Sequence, residues 1–536
     1  MPLTLLYRSA TVTPMRIRVV VVGVMCLAVI VGLSARARQL APQPFDLLIL
    51  NGRVLDGSGN PWLREDLGIR GERIVARGRL AGATATRTID AQGLIVAPGF
   101  IDVHSHASGS LARESLRDGT GLLAQGITTV VLNPDGGGPV DVGAQRKTLE
   151  SGGVGVNAAL LVGHGSVRGA VMGSARRAPT PDELARMTDL VRVAVADGAV
   201  GLSSGLFYEP GRNAALEEVI ALARVAGGVY TSHIRDEGNY DIGVVASVRE
   251  VIRVAEEAGV RGVVTHIKAL GPDSWGLSKT IIADINAARA RGVEVWADQY
   301  PYEASSTSLG AAVLPGPSGP EALKARLAEP YSKDELLKEV TENIRRRGGP
   351  ASIVIASGRD APGLAGQHLQ QIAEARSVTP AEAAIDILMG GGASIVSFNM
   401  SEADIAAFMQ QPWTMTSSDG DLSVPGPSRP HPRGHGAFAR KLSVYVRERG
   451  VITLEDAVRA ATSLPARVFG FADRGELREG AFADVIVFDP AGVKDLATYT
   501  NPHQHATGMR WVLVNGRVAV EDGAATGALA GRVLRK

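Results

Sequence analysis

Short runs of alternating apolar and polar residues occur at both ends of the chain. Near the N-terminus they lie between Phe45 and Ala97 and are broken by Asn-Gly, Asp-Gly and Arg-Gly pairs. The pattern returns after Gly475, where VLVNGRVAVEDG is similar to the early LILNGRVLDGSG. Alternation with period two between such turns is typical of half-buried strands. The simplest prediction is a small β-sandwich built from both chain ends, residues 44–97 and 470–536, around a large insert.

Between these ends, short apolar runs alternate with longer segments of helical periodicity. The apolar runs are ITTVVLN, VNAALLVG, AVGLSSG, VYTSHI, GVVTHIK and VEVWADQY. Nearly continuous apolar strands separated by helices indicate a parallel sheet, and this number of repeats favours a (β/α)8 barrel of the α/β class. The predicted barrel comprises residues 98–314 and 395–469. Residues 315–394 are more polar and helical, and we interpret them as an insertion late in the barrel.

The first apolar run of the chain belongs to neither pattern. Arg16 and Arg18 precede an uncharged stretch from Val19 to Leu33, and the small residues of Ser-Ala-Arg-Ala follow it. A basic segment, a short apolar stretch and small residues are typical of a secretory signal peptide. We therefore predict that residues 1–37 are a signal peptide and that the protein is exported, either to a periplasm or out of the cell. An uncleaved membrane anchor is the alternative, although the run is short for a full span.

Composition narrows the classes of partner. The chain has 56 Lys and Arg against 55 Asp and Glu, a formal net charge of +1, which argues against a generally basic nucleic-acid binder. Aromatic residues make up only 4%, which disfavours a stacking surface for single-stranded nucleic acid. The single cysteine, Cys26, excludes an intramolecular disulfide and a multi-cysteine zinc site. We expect a small-molecule substrate, no nucleic acid, and no membrane partner after signal cleavage.

Histidines and one aspartate stand where predicted barrel strands end. His104 and His106 follow the strand GFIDV, His233 ends VYTSH, His266 ends VVTH, and Asp419 follows TMTSS. Side chains two positions apart on a strand point the same way, so both imidazoles of the His-x-His pair can reach one ion. Strand ends on one face of a barrel converge, and four histidines with a carboxylate suit Zn²⁺ or a similar divalent ion. The other histidines are interpreted as loop or packing residues: His164, His368, His431, His435, His503 and His505.

Several longer motifs follow one another along the chain: GLIVAPGFIDVHSH, GAVGLSSGLFYEPG, TSHIRDE, ADQYPYEASST and HPRGHGAF. The first resembles the opening of the barrel of the metal-dependent amidohydrolase superfamily. Together, and in this order, they resemble the N-acyl-D-amino-acid deacylase (D-aminoacylase) family of that superfamily. The resemblance extends from about Phe45 to the C-terminus. It implies a hydrolase with one or two zinc ions per subunit that cleaves an N-acyl-D-amino acid into a carboxylate and a free D-amino acid.

The resemblance also implies a role for individual residues. His104 and His106 correspond to the ligands after the first strand, and His233 and His266 to those of the tight zinc site. Asp419 corresponds to the catalytic acid/base. The family's contacts to the substrate carboxylate correspond to four positions: Lys268, Tyr300, Ser306 and Arg433. A structural ion pair at the barrel rim is the alternative for the lysine and the arginine.

One position departs from the family's pattern. The family has a metal-ligating cysteine in a Gly-Asn-Cys-Gly stretch after the TTVV strand, whereas this chain has Leu-Asn-Pro-Asp-Gly-Gly-Gly. Asp135 is the only candidate ligand near that place. A carboxylate can ligate or bridge zinc, and it would make Mn²⁺ or Co²⁺ more acceptable. We predict that Asp135 is a ligand; the alternative is that it caps a glycine-rich turn and the site has one ligand fewer.

Other functions stay open at this point. One alternative is a cyclic-amide hydrolase similar to dihydroorotase or hydantoinase, and another is a dipeptidase of the same superfamily. The cyclic-amide hydrolases commonly use a carboxylated lysine as the bridging ligand, and no lysine stands at a suitable end of a middle strand. From a different class, the chain could be a non-catalytic metal-binding relative of these enzymes.

Overall fold

Eight parallel strands form a barrel at the centre of the protein. The computed structural model describes residues 44–314, 319–329, 332–358 and 362–535. The barrel strands are Phe100–Asp102, Ile127–Leu132, Asn157–Leu160 with its continuation Val162–Gly163, Gly201–Gly205, Val229–His233, Arg261–Val264, Val295–Gln299 and Thr414–Thr416. Each of them lies beside the next in chain order, and all register pairs between them are parallel. The predicted (β/α)8 barrel is confirmed.

The barrel closes between its first and eighth strands. The backbone N–H of Asp419 donates to the carbonyl of His104 at 2.9 Å. Below this contact the buried carboxylate of Asp102 accepts hydrogen bonds from the backbone N–H of Ser418 at 2.9 Å and from its hydroxyl. Burial raises the pKa of Asp102 to about 6 even though the bonds from Ser418 oppose the rise. The closure therefore holds two predicted site residues, His104 and Asp419, side by side.

Helices cover the barrel because their apolar residues fall on one face. In Val244–Ala258, for example, Val244, Val248, Val251 and Ala255 are buried at helical spacing. The helices around the barrel are Ser108–Leu111, Thr120–Leu123, Val142–Gly152, His164–Met172, Pro181–Ala196, Leu216–Ala226, Val244–Ala258, Ser278–Ala290, Glu402–Met409, Arg433–Arg440, the π-helical Lys441–Glu448, Leu454–Ala461 and Ser463–Phe469. Together they seal the outer face of the barrel strands from water.

Both chain ends contribute to one small sheet beside the barrel. Its nine strands are Phe45–Val54, Leu63–Arg70, Arg73–Gly78, Ala85–Asp90, Ile95–Pro98, Val485–Phe488, Met509–Val514, Arg517–Glu521 and Ala524–Ala525. The two ends meet where Ile95–Pro98 pairs antiparallel with Val485–Phe488. Apolar side chains from both segments, such as Leu67 and Leu513, share one core. The predicted β domain from both ends is confirmed; eight of its strands form one hydrogen-bonded path, and Ala85–Asp90 pairs with Phe45–Val54 beside that path.

A second small unit lies between the seventh and eighth barrel strands. Three strands form its antiparallel sheet: Ala304–Ser308, Ile353–Gly358 and Ala393–Phe398. Its helices are Leu309–Val313, Pro320–Leu327, Ser332–Arg346, Leu369–Arg376 and Pro380–Met389, and they pack on a core of their own. The insertion is therefore not wholly helical, and its sheet begins before residue 315. The first of these strands has the sequence ASSTS, which contains no apolar run from which a strand could be predicted.

The predicted signal peptide or anchor, residues 1–37, and Cys26 lie outside the described residues. Among the residues that the structure does describe, no helix combines the length and the apolar character needed to cross a bilayer.

A buried lysine supports one prediction about stability. Lys441 is 3% exposed, and its Nζ donates to Thr416 Oγ1 on the eighth strand at 2.8 Å. Burial lowers its pKa from 10.5 to about 7. Between about pH 7 and pH 10.5 the lysine therefore keeps its proton in the unfolded chain but has lost it in the folded chain. The free energy of unfolding consequently increases as pH rises through that window. Lys441→Met removes the cost of burying a charged lysine, which is largest at the low end of the window. We therefore expect the Tm of the variant to exceed that of the wild type most at pH 7.

The measurement is the Tm of both proteins at pH 7 and pH 9.5, and the expected result is a gap that narrows at the higher pH. Lys324→Met is the matched control, because Lys324 is exposed and pairs with Glu321 on a surface helix. A gap between Lys441→Met and the wild type that does not depend on pH would contradict the prediction.

Candidate active site

A cavity of about 410 Å³ opens where the barrel strands end. It is lined by nine of the ten predicted site residues, namely His106, Asp135, His233, His266, Lys268, Tyr300, Ser306, Asp419 and Arg433. The tenth, His104, is fully buried beneath the cavity and lies 3.4 Å from both Asp135 and Asp419. The structure therefore brings all ten residues together at one mouth of the barrel.

Asp135 lies at the centre of the histidine cluster. Its Oδ1 is 3.4 Å from His104 Nε2, 3.5 Å from His266 Nε2 and 3.8 Å from His233 Nδ1. Its Oδ2 is 3.4 Å from His106 Nε2. These residues form two groups of potential ligands: His104, His106, Asp135 and Asp419, and Asp135, His233 and His266. Because Asp135 belongs to both groups, its carboxylate occupies a position from which it can bridge two ions.

Local backbone geometry aims three of these side chains inward. Asp135, His266 and Asp419 all have positive φ values of +56°, +37° and +50°, which is uncommon for residues with a side chain and clusters at functional sites. The turn at Asp135 depends on Gly136, where a Cβ would lie 2.8 Å from the backbone nitrogen of Gly205. The N–H of His266 is held by Asp298 Oδ1 at 2.9 Å. The strand ends are thus shaped to converge on one point.

The unsatisfied atoms of the cluster fit a divalent cation. Among the described residues, both ring nitrogens of His104 and of His233 and the Oδ1 of Asp135 are buried without a hydrogen-bond partner. Leaving a buried polar atom unpaired costs about 1–3 kcal/mol, and native structures rarely tolerate several together. Imidazole nitrogens and carboxylate oxygens converging on one place are the donor set of Zn²⁺ and similar ions. The residues present therefore fit a metal.

The charges of the site also favour a cation. Burial raises the pKa of Asp135 and of Asp419, but nearby positive groups outweigh it and hold both values well below the usual range. For Asp419 the largest of these is Arg433, whose Nη1 lies 2.6 Å from Oδ2. Burial lowers the pKa of His233 to about 4, so this ring is neutral and can act as a ligand. Two ionised carboxylates therefore face the neutral ring of His233. At His106 and His266 burial is outweighed by the carboxylates of the site, which raise the pKa values to about 10 and about 9, so these two rings release a proton when they bind a metal.

Glu237 belongs to the site although it does not stand at the end of a barrel strand. Its Oε1 is 2.9 Å from His266 Nδ1 and 2.5 Å from Lys268 Nζ. A carboxylate behind a metal-ligating histidine fixes the tautomer and leaves the other ring nitrogen for the ion, and His266 Nε2 does face Asp135. The only local signal is its place in TSHIRDE, four residues after His233.

Glu237→Gln is expected to weaken metal binding about 10- to 100-fold, the usual range for such a partner of a ligand. The amide accepts a weaker hydrogen bond from His266 than the carboxylate does, and it leaves Lys268 without a negative charge beside it. Metal affinity is measured by competition with a chelator. Glu250→Gln is the matched control, since Glu250 pairs with Arg235 at 3.0 Å outside the cavity. Equal metal affinity in the two variants would remove Glu237 from this role.

The four residues predicted to bind a substrate carboxylate differ in what they already contact. Lys268 pairs with Glu237, and Arg433 pairs with Asp419 while its guanidinium lies 4.7 Å from the centre of the Tyr300 ring. The Tyr300 hydroxyl is buried without a hydrogen-bond partner among the described residues. Ser306 lines the cavity half-buried on the first strand of the insertion. The two cations therefore form ion pairs within the cavity itself, while the Tyr300 hydroxyl, which has no partner in the described part of the chain, is free to donate.

Further cavity residues come from loops and from the insertion. Tyr208 packs its ring 4.6 Å from that of His233, and its hydroxyl is 3.2 Å from Thr307 Oγ1. Tyr240 and Arg347 line the side of the cavity formed by the insertion. None of these residues follows a barrel strand directly, so the strand-end pattern gave no signal for them.

Comparison with known proteins places these features in a family. Residues 87–520 match the model of the amidohydrolase family. The chain is 37% identical over 526 residues to D-aminoacylase from Alcaligenes xylosoxydans xylosoxydans, covering 93% of this chain and 99% of that protein. It is 39% identical over 522 residues to N-acyl-D-glutamate deacylase of the same organism, covering 92% and 97%. A crystal structure of N-acyl-D-glutamate deacylase from Bordetella bronchiseptica, complexed with zinc and a phosphonate mimic of the tetrahedral intermediate, matches with a TM-score of 0.78 and 37% identity, covering 92% of this chain and 100% of that one.

Proposed function

The chain belongs to the amidohydrolase family and is a metal-dependent hydrolase of amide C–N bonds, and from this we propose that it is a zinc-dependent N-acyl-D-amino-acid deacylase. It would release a carboxylate and a free D-amino acid. The observation that carries the proposal is the position of Asp135 between two groups of ligands, with Asp419 and the carboxylate-binding residues on the same cavity. The similarity to D-aminoacylase over 93% of the chain supports this choice of substrate.

Two overlapping sets of residues would hold the metal. His233, His266 and Asp135 form one set, and His104, His106 and Asp135 form the other. When bound there, zinc supplies Lewis-acid activation of water and of the acyl carbonyl. The carboxylate in place of the family's cysteine makes Mn²⁺ and Co²⁺ acceptable substitutes. The cyclic-amide hydrolases commonly use a carboxylated lysine as the bridging ligand. Here Asp135 lies between the two ligand groups, and the lysine of the cavity, Lys268, contacts Glu237 instead. This arrangement disfavours the cyclic-amide alternative.

Asp419 is the proposed acid/base. Its Oδ1 lies 3.1 Å from His106 Nε2, beside both ligand groups, and its pKa is held well below the usual range by Arg433 and His266 despite burial. It is therefore ionised at rest and accepts a proton from the attacking water. The resulting hydroxide oxygen bonds to the acyl carbon, the C–N bond breaks, and Asp419 returns the proton to the leaving nitrogen. One carboxylate thus serves as base and then as acid.

The substrate carboxylate would be oriented by Tyr300, Ser306, Lys268 and Arg433. The Tyr300 hydroxyl has no other partner among the described residues, and Arg433 can pair with a carboxylate through two N–H groups. With the carboxylate and the amide both held, the side chains of a D- and an L-substrate would point to different walls of the cavity. The space at those walls would then decide which configuration is accepted.

The proposal is tested by measuring amine release by the zinc-loaded mature protein from paired N-acetyl-D- and N-acetyl-L-amino acids. We expect release from the D series and at least tenfold less from the L series. The metal-stripped protein is the control, and restoring zinc should restore activity. Absence of release from both series with zinc bound would overturn the proposal and favour a dipeptidase or a non-catalytic relative.

Export of the protein is a separate proposal that rests on residues 1–37 alone. N-terminal sequencing of the protein recovered from its native cells tests it. We expect a mature N-terminus shortly after Ala37, and an intact segment found in the membrane fraction would indicate an anchor instead.

A further inference from the structure

Arg347 is a buried cation on the wall of the cavity. It follows the helix Ser332–Arg346 of the insertion and is 2% exposed. Its three guanidinium nitrogens donate to neutral oxygens only: Nη1 to the Tyr240 hydroxyl at 3.0 Å, Nε to Ser397 Oγ at 3.2 Å and Nη2 to Ser305 Oγ at 3.3 Å. The positive charge is thus hydrogen-bonded without being neutralised by these contacts.

The other two cations of the cavity differ from Arg347 in this respect. Lys268 has the carboxylate of Glu237 at 2.5 Å, and Arg433 has that of Asp419 at 2.6 Å. Among the described residues, Arg347 takes part in no ion pair. Burial of a charge is costly unless an opposite charge accompanies it. A cavity-lining arginine that lacks one has an unfilled preference for an anion.

The oxygens around Arg347 are themselves held in place. The side-chain N–H₂ of Asn399 donates to Ser305 Oγ at 3.0 Å and to Ser397 Oγ at 3.1 Å. The Tyr240 hydroxyl donates to the carbonyl of Ala312 at 3.1 Å. The guanidinium is therefore fixed before any ligand arrives. A planar, pre-oriented guanidinium is suited to paired hydrogen bonds with a carboxylate.

We propose that Arg347 forms a second anion subsite, which binds a carboxylate that the substrate carries in addition to its α-carboxylate. The inference rests on the proposed deacylase function and narrows its substrate class to N-acyl-D-amino acids with two carboxylates. Either the amino-acid side chain or the acyl group can supply the second one. Arg347 lines the same cavity as the metal-ligand groups and the proposed α-carboxylate contacts, so one substrate can contact Arg347 and those residues at the same time.

The test compares kcat and KM of the wild type and Arg347→Met on substrate pairs that differ by one charge. N-acetyl-D-glutamate against N-acetyl-D-glutamine places the charge on the side chain, and N-succinyl-D-leucine against N-pentanoyl-D-leucine places it on the acyl group. In one of these pairs we expect the wild type to prefer the dianion. Arg347→Met should lose about 10- to 100-fold in kcat/KM on that dianion, mostly through KM, and stay within threefold on its neutral partner. The pair that shows the effect identifies the source of the carboxylate.

Two further variants keep the test decisive. Arg345→Met is the matched control, because Arg345 lies two residues away but pairs with Asp273 at 2.7 Å on the surface. Arg347→Lys keeps the charge without the paired N–H groups and should retain part of the preference for the dianion, which reports on the subsite if the methionine variant does not fold. Equal losses on charged and neutral substrates, or no preference of the wild type in either pair, would overturn the proposal. Activity on neutral N-acetyl-D-amino acids without any effect of Arg347 would leave the deacylase function standing, whereas no activity on any substrate would remove that function itself.

Discussion

Asp419→Asn is expected to lower kcat on an N-acetyl-D-amino acid by about 10²- to 10⁴-fold, the range that general acid–base catalysis contributes. The amide has nearly the same shape and keeps one oxygen near His106 and His104, so the ligands stay in place. It cannot accept a proton from water or return one to the leaving nitrogen. Metal content per chain should therefore remain close to that of the wild type while turnover collapses.

The measurement pairs steady-state kinetics with metal analysis of the same preparation. Asp421→Asn is the matched control, since Asp421 lies two residues further along the same loop but is exposed. Activity of Asp419→Asn within about tenfold of the wild type, with unchanged metal content, would show that another group moves the proton.

Asp135→Ala is expected to lose both metal and activity. Its carboxylate lies within 3.8 Å of all four histidines of the cluster, so its removal takes one potential ligand from both groups. The group with His233 and His266 is then left without a carboxylate to offset the charge of the ion. We expect metal affinity to fall by more than about 100-fold, beyond the effect of removing a partner behind a ligand. Competition with a chelator measures it.

Asp141→Ala controls for the general effect of losing an aspartate nearby. Asp141 caps the helix Val142–Gly152 through the N–H of Ala144, so that variant should lose about 1 kcal/mol of stability and no metal. Wild-type metal binding by Asp135→Ala would favour the turn-capping alternative. Asp135→Cys should keep zinc but lose tolerance of Mn²⁺, because thiolate is the softer ligand.

The sequence predicts the barrel and much of its site for the same physical reason. Each barrel strand is buried on both faces, so it is visible as an apolar run, and the polar residue that ends the run marks the mouth of the barrel. His104, His106, His233, His266 and Asp419 were found this way. Asp135 was not, because Asn-Pro-Asp-Gly-Gly is equally typical of any tight turn. The resemblance to the family points to Asp135 only through the cysteine that the family has near this place. Its distances to the four histidines are seen only in the folded chain.

Glu237 and Arg347 could not be predicted as site residues, for a different reason. Glu237 lies in a polar loop, and Arg347 directly follows a helix of the insertion, next to two other arginines. Nothing local separates Arg347 from Arg345, which is on the surface. Only the packing of the insertion against the mouth of the barrel decides which of them is buried. The strand Ala304–Ser308 was missed for a similar reason, because its antiparallel partner, Ala393–Phe398, lies about ninety residues away along the chain.

The closure of the barrel has a consequence for the order of folding. His106 and Asp419 meet across 313 positions of sequence, and the small sheet is completed only when Val485–Phe488 reaches Ile95–Pro98. Contacts between such distant segments pay their loop-closure entropy first and form slowly. A nascent chain that has already made His104 and His106 must add more than 300 further residues before Asp419 joins them. The group of Asp135, His233 and His266 requires only the chain up to residue 266. The two halves of the cluster are therefore completed at different stages of synthesis, and the half that closes the barrel is completed last.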